Sequence, residues 1–127
     1  MTYTIKNLKD TKDSAPEFGL AEHGEAHFPM GELEAETTGL AYQVLLPNKR
    51  SPFGHQHDQA EEIYVVLAGA GRVRLDDDVR EIAPLDAIRV APQVKRRFEA
   101  GPDGLSLLAF GPRHEGDGTI LRDFWTD

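Results

Sequence analysis

His55 and His57 stand two apart in the run His55-Gln-His57-Asp-Gln-Ala-Glu61-Glu62-Ile-Tyr64-Val-Val-Leu-Ala-Gly69. Side chains on an extended chain alternate between faces, so both imidazoles point the same way and can share one metal ion. A glutamate on the next strand, after a short turn, adds an oxygen donor. Two histidines and one carboxylate, with coordination positions left open, suit Fe(II), Mn(II), Ni(II) or Zn(II). The blander alternative is a pair of imidazoles in a polar surface loop, which five histidines in 127 residues permit. Other chemistries find no support. The chain has no cysteine, so a thiolate ligand, a Cys nucleophile and a disulfide are all excluded. Ser14, Ser51 and Ser106 lack the G-x-S-x-G context of an activated serine. Asp76-Asp77-Asp78 lacks the spaced ligands and late glutamate of a calcium loop and reads as a turn.

The histidine stretch resembles the first motif of the cupin superfamily, which runs Gly, five residues, His-x-His, three or four residues, Glu, six residues, Gly. His55, His57, Glu62 and Gly69 fall on its longer form. Glu61 fits the shorter gap to the histidines, but Glu62 also stands six residues before Gly69; Glu61 reads as a solvated charge at a strand end. Lys49 occupies the position of the opening glycine. The resemblance covers about residues 40–111. It implies an all-β, double-stranded β-helix (jelly-roll) barrel, a metal held by His55, His57 and Glu62, and a homodimer.

The second cupin motif runs Gly-Asp, a spacer, Pro-x-Gly-x-x-His, three residues, Asn. Here Leu85-Asp86 stands for the Gly-Asp step and Pro92 for the proline, Val94 replaces the glycine, and Gly101 falls at the asparagine. Arg97 falls at the histidine, so the resemblance implies that the fourth metal ligand is missing. A guanidinium stays protonated and has no lone pair to give. A divalent ion and a guanidinium ~5 Å apart repel by ~6–7 kcal/mol at an effective dielectric of ~20, which weakens metal binding through the other three groups. Arg97 then turns away, grips an anionic substrate beside the metal, or pairs with Glu62 in a metal-free interior. Tyr64 shares strand parity with Glu62 and faces the same interior, either as a substrate-binding hydroxyl or as core with a satisfied O–H. Arg96, of opposite parity to Arg97, is expected in solvent.

Strands must carry these groups, and the chain from Gly31 onward reads as short strands between breakers. Leu40 to Leu46 stops at Pro47, and Glu62 to Ala68, rich in β-branched and aromatic residues, stops at the turn Gly69-Ala-Gly71. Arg72 to Leu75 alternates and returns through the Asp76–Asp78 turn as Val79 to Ile82. Asp86 to Val90, Lys95 to Glu99, the turn Gly101-Pro-Asp-Gly104 and Leu105 to Phe110 complete the series, with Glu32 to Thr37 as a further strand. Such spacing predicts a sandwich or barrel. Before it lies an irregular N-terminal arm, with one helical turn begun by Ser14 and Pro16. His23, His27 and His114 have no spacing partner and are expected at the surface. The Phe124-Trp125 pair is expected to pack outside the barrel or on a neighbouring subunit. No repeat or linker divides the chain, so it reads as one domain, 1–127, with its barrel core at about 31–111.

Basic residues number 14 and acidic ones 22, a formal balance of −8. That argues against nucleic-acid backbones and anionic membranes as partners. No apolar run approaches the ~18 residues of a membrane span. MTYTIKNLKDTKD is not a secretory signal, so the expected address is the cytoplasm. Three functions follow in order of expectation. The first is a metal-dependent enzyme of oxygenase, isomerase or decarboxylase type on a small anionic organic substrate, with Tyr64 and Arg97 binding substrate. The second is a metal-free binding or sensing module using the same pocket. The third is a dimerising structural protein using Phe124 and Trp125.

Overall fold

The computed structural model describes residues 2–127. Its strands are β1 (Gly24–His27), β2 (Thr38–Leu45), β3 (Gly54–His57), β4 (Glu62–Leu75), β5 (Asp78–Ile82), β6 (Ala87–Val90), β7 (Arg96–Pro112) and β8 (Gly118–Leu121). All pair antiparallel. β4 and β7 run side by side, from Ile63 opposite Phe110 to Leu75 opposite Arg96. The first half of β4 also pairs with β6, and its second half with β5. The second half of β7 carries β2 on its other edge, and β2 carries β1. β7 begins beside β3, which pairs with β8. Two shared strands therefore join both walls, and one hydrogen-bonded sheet curls over on itself into the double-stranded β-helix. Among the described residues no helix is long and apolar enough to cross a membrane.

Period-two alternation decides what fills the curl. Tyr64 and Val66 of β4, and Leu105, Leu107 and Ala109 of β7, point inward from one wall. Val73 of β4 and Phe98 and Ala100 of β7 point inward from the other. The Tyr64 and Phe98 rings meet at 4.8 Å, which closes the interior beneath the histidines.

The glycine runs do not reverse the chain as expected. Gly69-Ala-Gly71 and Gly101-Pro-Asp-Gly104 lie inside β4 and β7, where the register shifts and both strands bend from one wall to the other. Gly69 has φ +74, and a Cβ there would stand 2.1 Å from the Gly104 carbonyl oxygen. Gly69→Ala is therefore expected to lower stability by at least about 1–3 kcal/mol, the scale of a non-glycine residue forced into this conformation. An unchanged urea midpoint would contradict it.

Three other expectations are corrected. Residues expected as the strand Glu32 to Thr37 include instead a single helical turn, α1 (Met30–Leu33), closed by Glu34 at φ +59. The sheet extends beyond residues 31–111, because β1 and β8 add to it. His27 is buried, not exposed: its Nδ1 lies 3.0 Å from the Thr11 hydroxyl and its Nε2 2.9 Å from Glu25 Oε1, which fastens the N-terminal arm to β1. The Asp76 turn is present; Asp76 Oδ1 accepts from the Lys95 N–H at 3.0 Å and its carbonyl accepts from Arg74 Nε at 2.8 Å.

Candidate functional site

β3 places His55 and His57 on the inner face, and Glu62 opens β4 across the turn between them. Glu62 Oε1 is the point on which the neighbours converge. The Tyr64 hydroxyl donates to it at 2.7 Å, His57 Nε2 lies at 3.0 Å, and His55 Nε2 and Arg96 Nη1 lie at 3.3 Å. One donor atom from each of His55, His57 and Glu62 falls within 4.8 Å of the others. Although close to Glu62, His57 Nε2 is buried with no hydrogen-bond partner in line with its ring. His55 Nε2 hydrogen-bonds Glu62 directly, so His57 is the member of the group whose lone pair has no partner of its own. An ion held at about 2.1 Å by two adjacent donors separates them by about 3.0–3.4 Å, which the spacings of His57 and His55 from Glu62, 3.0 and 3.3 Å, match.

The electrostatics bias the charge states. Burial works to raise the Glu62 carboxyl, but the hydrogen bonds from His55 and Tyr64 and the close approach of the His57 imidazole outweigh it and hold the group well below the usual carboxylate range. Contact with Glu62 raises His57 above its ordinary value, against the opposing effects of burial and Arg96. Burial, reinforced by the Glu62 charge, pushes Tyr64 well above the usual phenol value, so it remains a hydrogen-bond donor.

The expected arginine is corrected by one residue. Arg96, not Arg97, faces the interior: it is fully buried, with Nη1 toward Glu62 and Nη2 donating to the Ala91 carbonyl at 2.9 Å. Phe98 and Ala100 are core residues of the same strand, and period two puts Arg96 on their face and Arg97 on the other. Arg97 lies outside the barrel, where its Nε donates to the Ser51 carbonyl at 2.9 Å and its Nη1 to the Phe124 carbonyl at 3.0 Å. It cannot bind a substrate held by the histidines. Tyr64 does face the site, but it is 1% exposed and its hydroxyl is engaged with Glu62.

Asp117, just before β8, completes the surroundings and has no counterpart in the reading of the sequence. Its Oδ2 lies 3.3 Å from His57 Nδ1, and its two oxygens accept from the Gln59 and Ala60 N–H groups at 2.9 Å. Burial disfavours its charge, but those N–H groups outweigh it and hold the carboxyl below its ordinary value. Behind His57 therefore sits a carboxylate close to Nδ1 but not in line with it, a negative charge beside the imidazole. No local pattern announces Asp117, since only the pairing of β8 with β3 brings it there.

The fold is the double-stranded β-helix of cupin structures, and it carries a His-His-Glu group that could hold a metal ion. No protein-family model matches the sequence, and no curated protein matches it. Solved structures carry the comparison. A cupin protein (BF4112) from Bacteroides fragilis is 22% identical with a TM-score of 0.72, over 91% of this chain and 88% of that one. The polyketide cyclase RemF from Streptomyces resistomycificus is 21% identical with a TM-score of 0.72, over 98% of this chain and 87% of that one. Oxalate decarboxylase from Bacillus subtilis is 20% identical with a TM-score of 0.72, and the match covers 93% of this chain but 33% of that one. The cupin fold is thus shared with enzymes of differing chemistry.

Proposed function

We propose that this chain is a metal-dependent cupin-type enzyme acting on a small anionic organic molecule, with His55, His57 and Glu62 as metal ligands. The observation that carries the reading is the buried His57 Nε2, which lies 3.0 Å from Glu62 Oε1 yet has no aligned hydrogen-bond partner. A bound Fe(II), Mn(II), Ni(II) or Zn(II) ion would supply Lewis-acid or redox chemistry. Arg96 supplies a fixed positive charge behind Glu62, which favours an anionic substrate over a neutral one. Tyr64 keeps its proton and orients the Glu62 carboxylate. The neighbouring structures include a decarboxylase, a cyclase and a putative sugar phosphate isomerase, which support assays for decarboxylation and isomerisation; oxygenation rests on the donor set alone.

A second reading has its own support. The direct contact of Arg96 with Glu62 neutralises the carboxylate without any ion, as a metal-free binding module would require. Calorimetric titration of chelator-stripped protein with Mn(II), Ni(II) and Zn(II), and anaerobically with Fe(II), separates the two. The enzyme reading expects one ion per chain and at least about a tenfold weaker affinity in His57→Ala. No ion bound by the unaltered protein, or equal binding by His57→Ala, would overturn that reading in favour of the metal-free pocket.

A further inference from the structure

The segment that follows β8 lies across the outer face of the barrel. Its Trp125 is 5% exposed and has φ +59, a conformation that a non-glycine residue keeps only where its surroundings hold it. Arginines hold it. The Arg50 guanidinium lies 4.1 Å from the centre of the indole ring, and Arg50 also donates to the carbonyl oxygens of Trp125 and Asp127. Arg97 donates to the carbonyl oxygens of Phe124 and Trp125 at 3.0 and 3.3 Å. The Phe124 ring covers Gly54 so closely that a Cβ there would stand 2.7 Å from it. Arg97 Nε meanwhile holds the Ser51 carbonyl. Arg50 and Gly54 thus tie the segment to the chain entering β3, Arg97 of β7 bridges it to the Ser51 carbonyl, and Arg72 and Arg74 of β4 lie 5.3 and 4.9 Å from the Trp125 and Phe124 rings on the other side.

β3 needs such support. It meets β7 at one register pair, His55 opposite Arg96, and its other register pairs are with β8, the strand from which this segment leaves. We infer that residues 122–127 form a strap that positions the ligand strand: Trp125 and Phe124, seated on Arg50, Arg97 and Gly54, hold β3 and therefore His55 and His57 against Glu62. Trp125 and Arg97 are positioning residues and touch none of the three ligands. The mechanical claim stands on these contacts alone, and only its consequence for metal affinity rests on the proposed function.

Hydrogen exchange of the full chain, free of metal, tests it. In Trp125→Ala the amides of Ser51 and His57, bonded to Phe98 and Pro92 carbonyls, are expected to exchange about tenfold faster or more, while core amides shared by β4 and β7 keep their rates. Trp125→Phe is expected to restore most of the protection. Unchanged β3 exchange in Trp125→Ala overturns the strap whatever the metal result. Should Trp125→Ala fail to fold, the unaltered protein in sub-denaturing urea decides: β3 and β8 amides must open together below global unfolding, and β3 opening only with the core overturns the strap. Mn(II) titration of the same variants reads the other claim. Faster β3 exchange in a protein that binds no metal even when unaltered leaves the strap standing and removes the metal centre.

Discussion

Replacing Arg96 with alanine is expected to destabilise the domain by about 3–5 kcal/mol, the scale for removing one partner of a buried ion pair. The side chain is wholly buried, and its loss would leave the Glu62 carboxylate without the guanidinium and the Ala91 carbonyl with the Val94 N–H as its remaining donor. A vacant volume adds to the loss, because packed interiors relax only in part. Urea unfolding at neutral pH measures it, and a change below about 1 kcal/mol would show that the pair does not hold the site together. Arg96→His carries the complementary expectation. It exchanges a fixed cation for a neutral nitrogen donor and removes a repulsion of ~6–7 kcal/mol, taking a divalent ion ~5 Å away at an effective dielectric of ~20. Even after reorganisation consumes most of that, divalent-ion affinity should rise about tenfold or more. A flat affinity would show that the guanidinium is not what limits binding.

Glu62→Gln should abolish metal binding and lower stability by about 3 kcal/mol, since it leaves buried Arg96 without its anion. Its pH dependence is also specific. The Glu62 carboxyl is held below its ordinary value of 4.5, so its stabilising contribution is complete above that value and is lost as pH falls through the lower folded-state value. His57 is raised above 6.5, so its contribution is complete below 6.5 and is lost as pH rises through the higher folded-state value. Both effects run through the same carboxylate. Metal-free wild type should therefore lose stability on both the acid and the alkaline side, and Glu62→Gln should flatten both slopes. Urea midpoints from about pH 3 to pH 8 provide the check; parallel profiles for the two proteins would contradict the assignment.

What could be read from the residues was what obeys local periodicity. His55 and His57 share a face because they are two apart, and Glu62 joins them because β4 begins immediately after a short turn. Spacing from Pro92 points to Arg97, whereas the strand's own alternation with Phe98 and Ala100 selects Arg96. A slip of one residue exchanges inside for outside. The glycine runs are ambiguous for a related reason: glycine marks a backbone conformation but not whether the chain reverses or bends. Only the opposing bends of β4 and β7 distinguish the two. His27 and Asp117 owe their burial to partners distant in the chain, Thr11 for one and His57 for the other, and nothing in their own neighbourhoods signals it.

The sharing of β4 and β7 between both walls also bears on how the polypeptide is made. β4 ends at Leu75, but its long-range partner β7 begins at Arg96 and ends at Pro112. On the ribosome the emerging β4 can pair with β5 and β6 on one edge but waits for β7 on the other, and the barrel cannot close by halves. The nascent protein is exposed to association with its neighbours until its last strands leave the exit tunnel, so demand for chaperone protection should be greatest when translation outpaces the supply of free holdase.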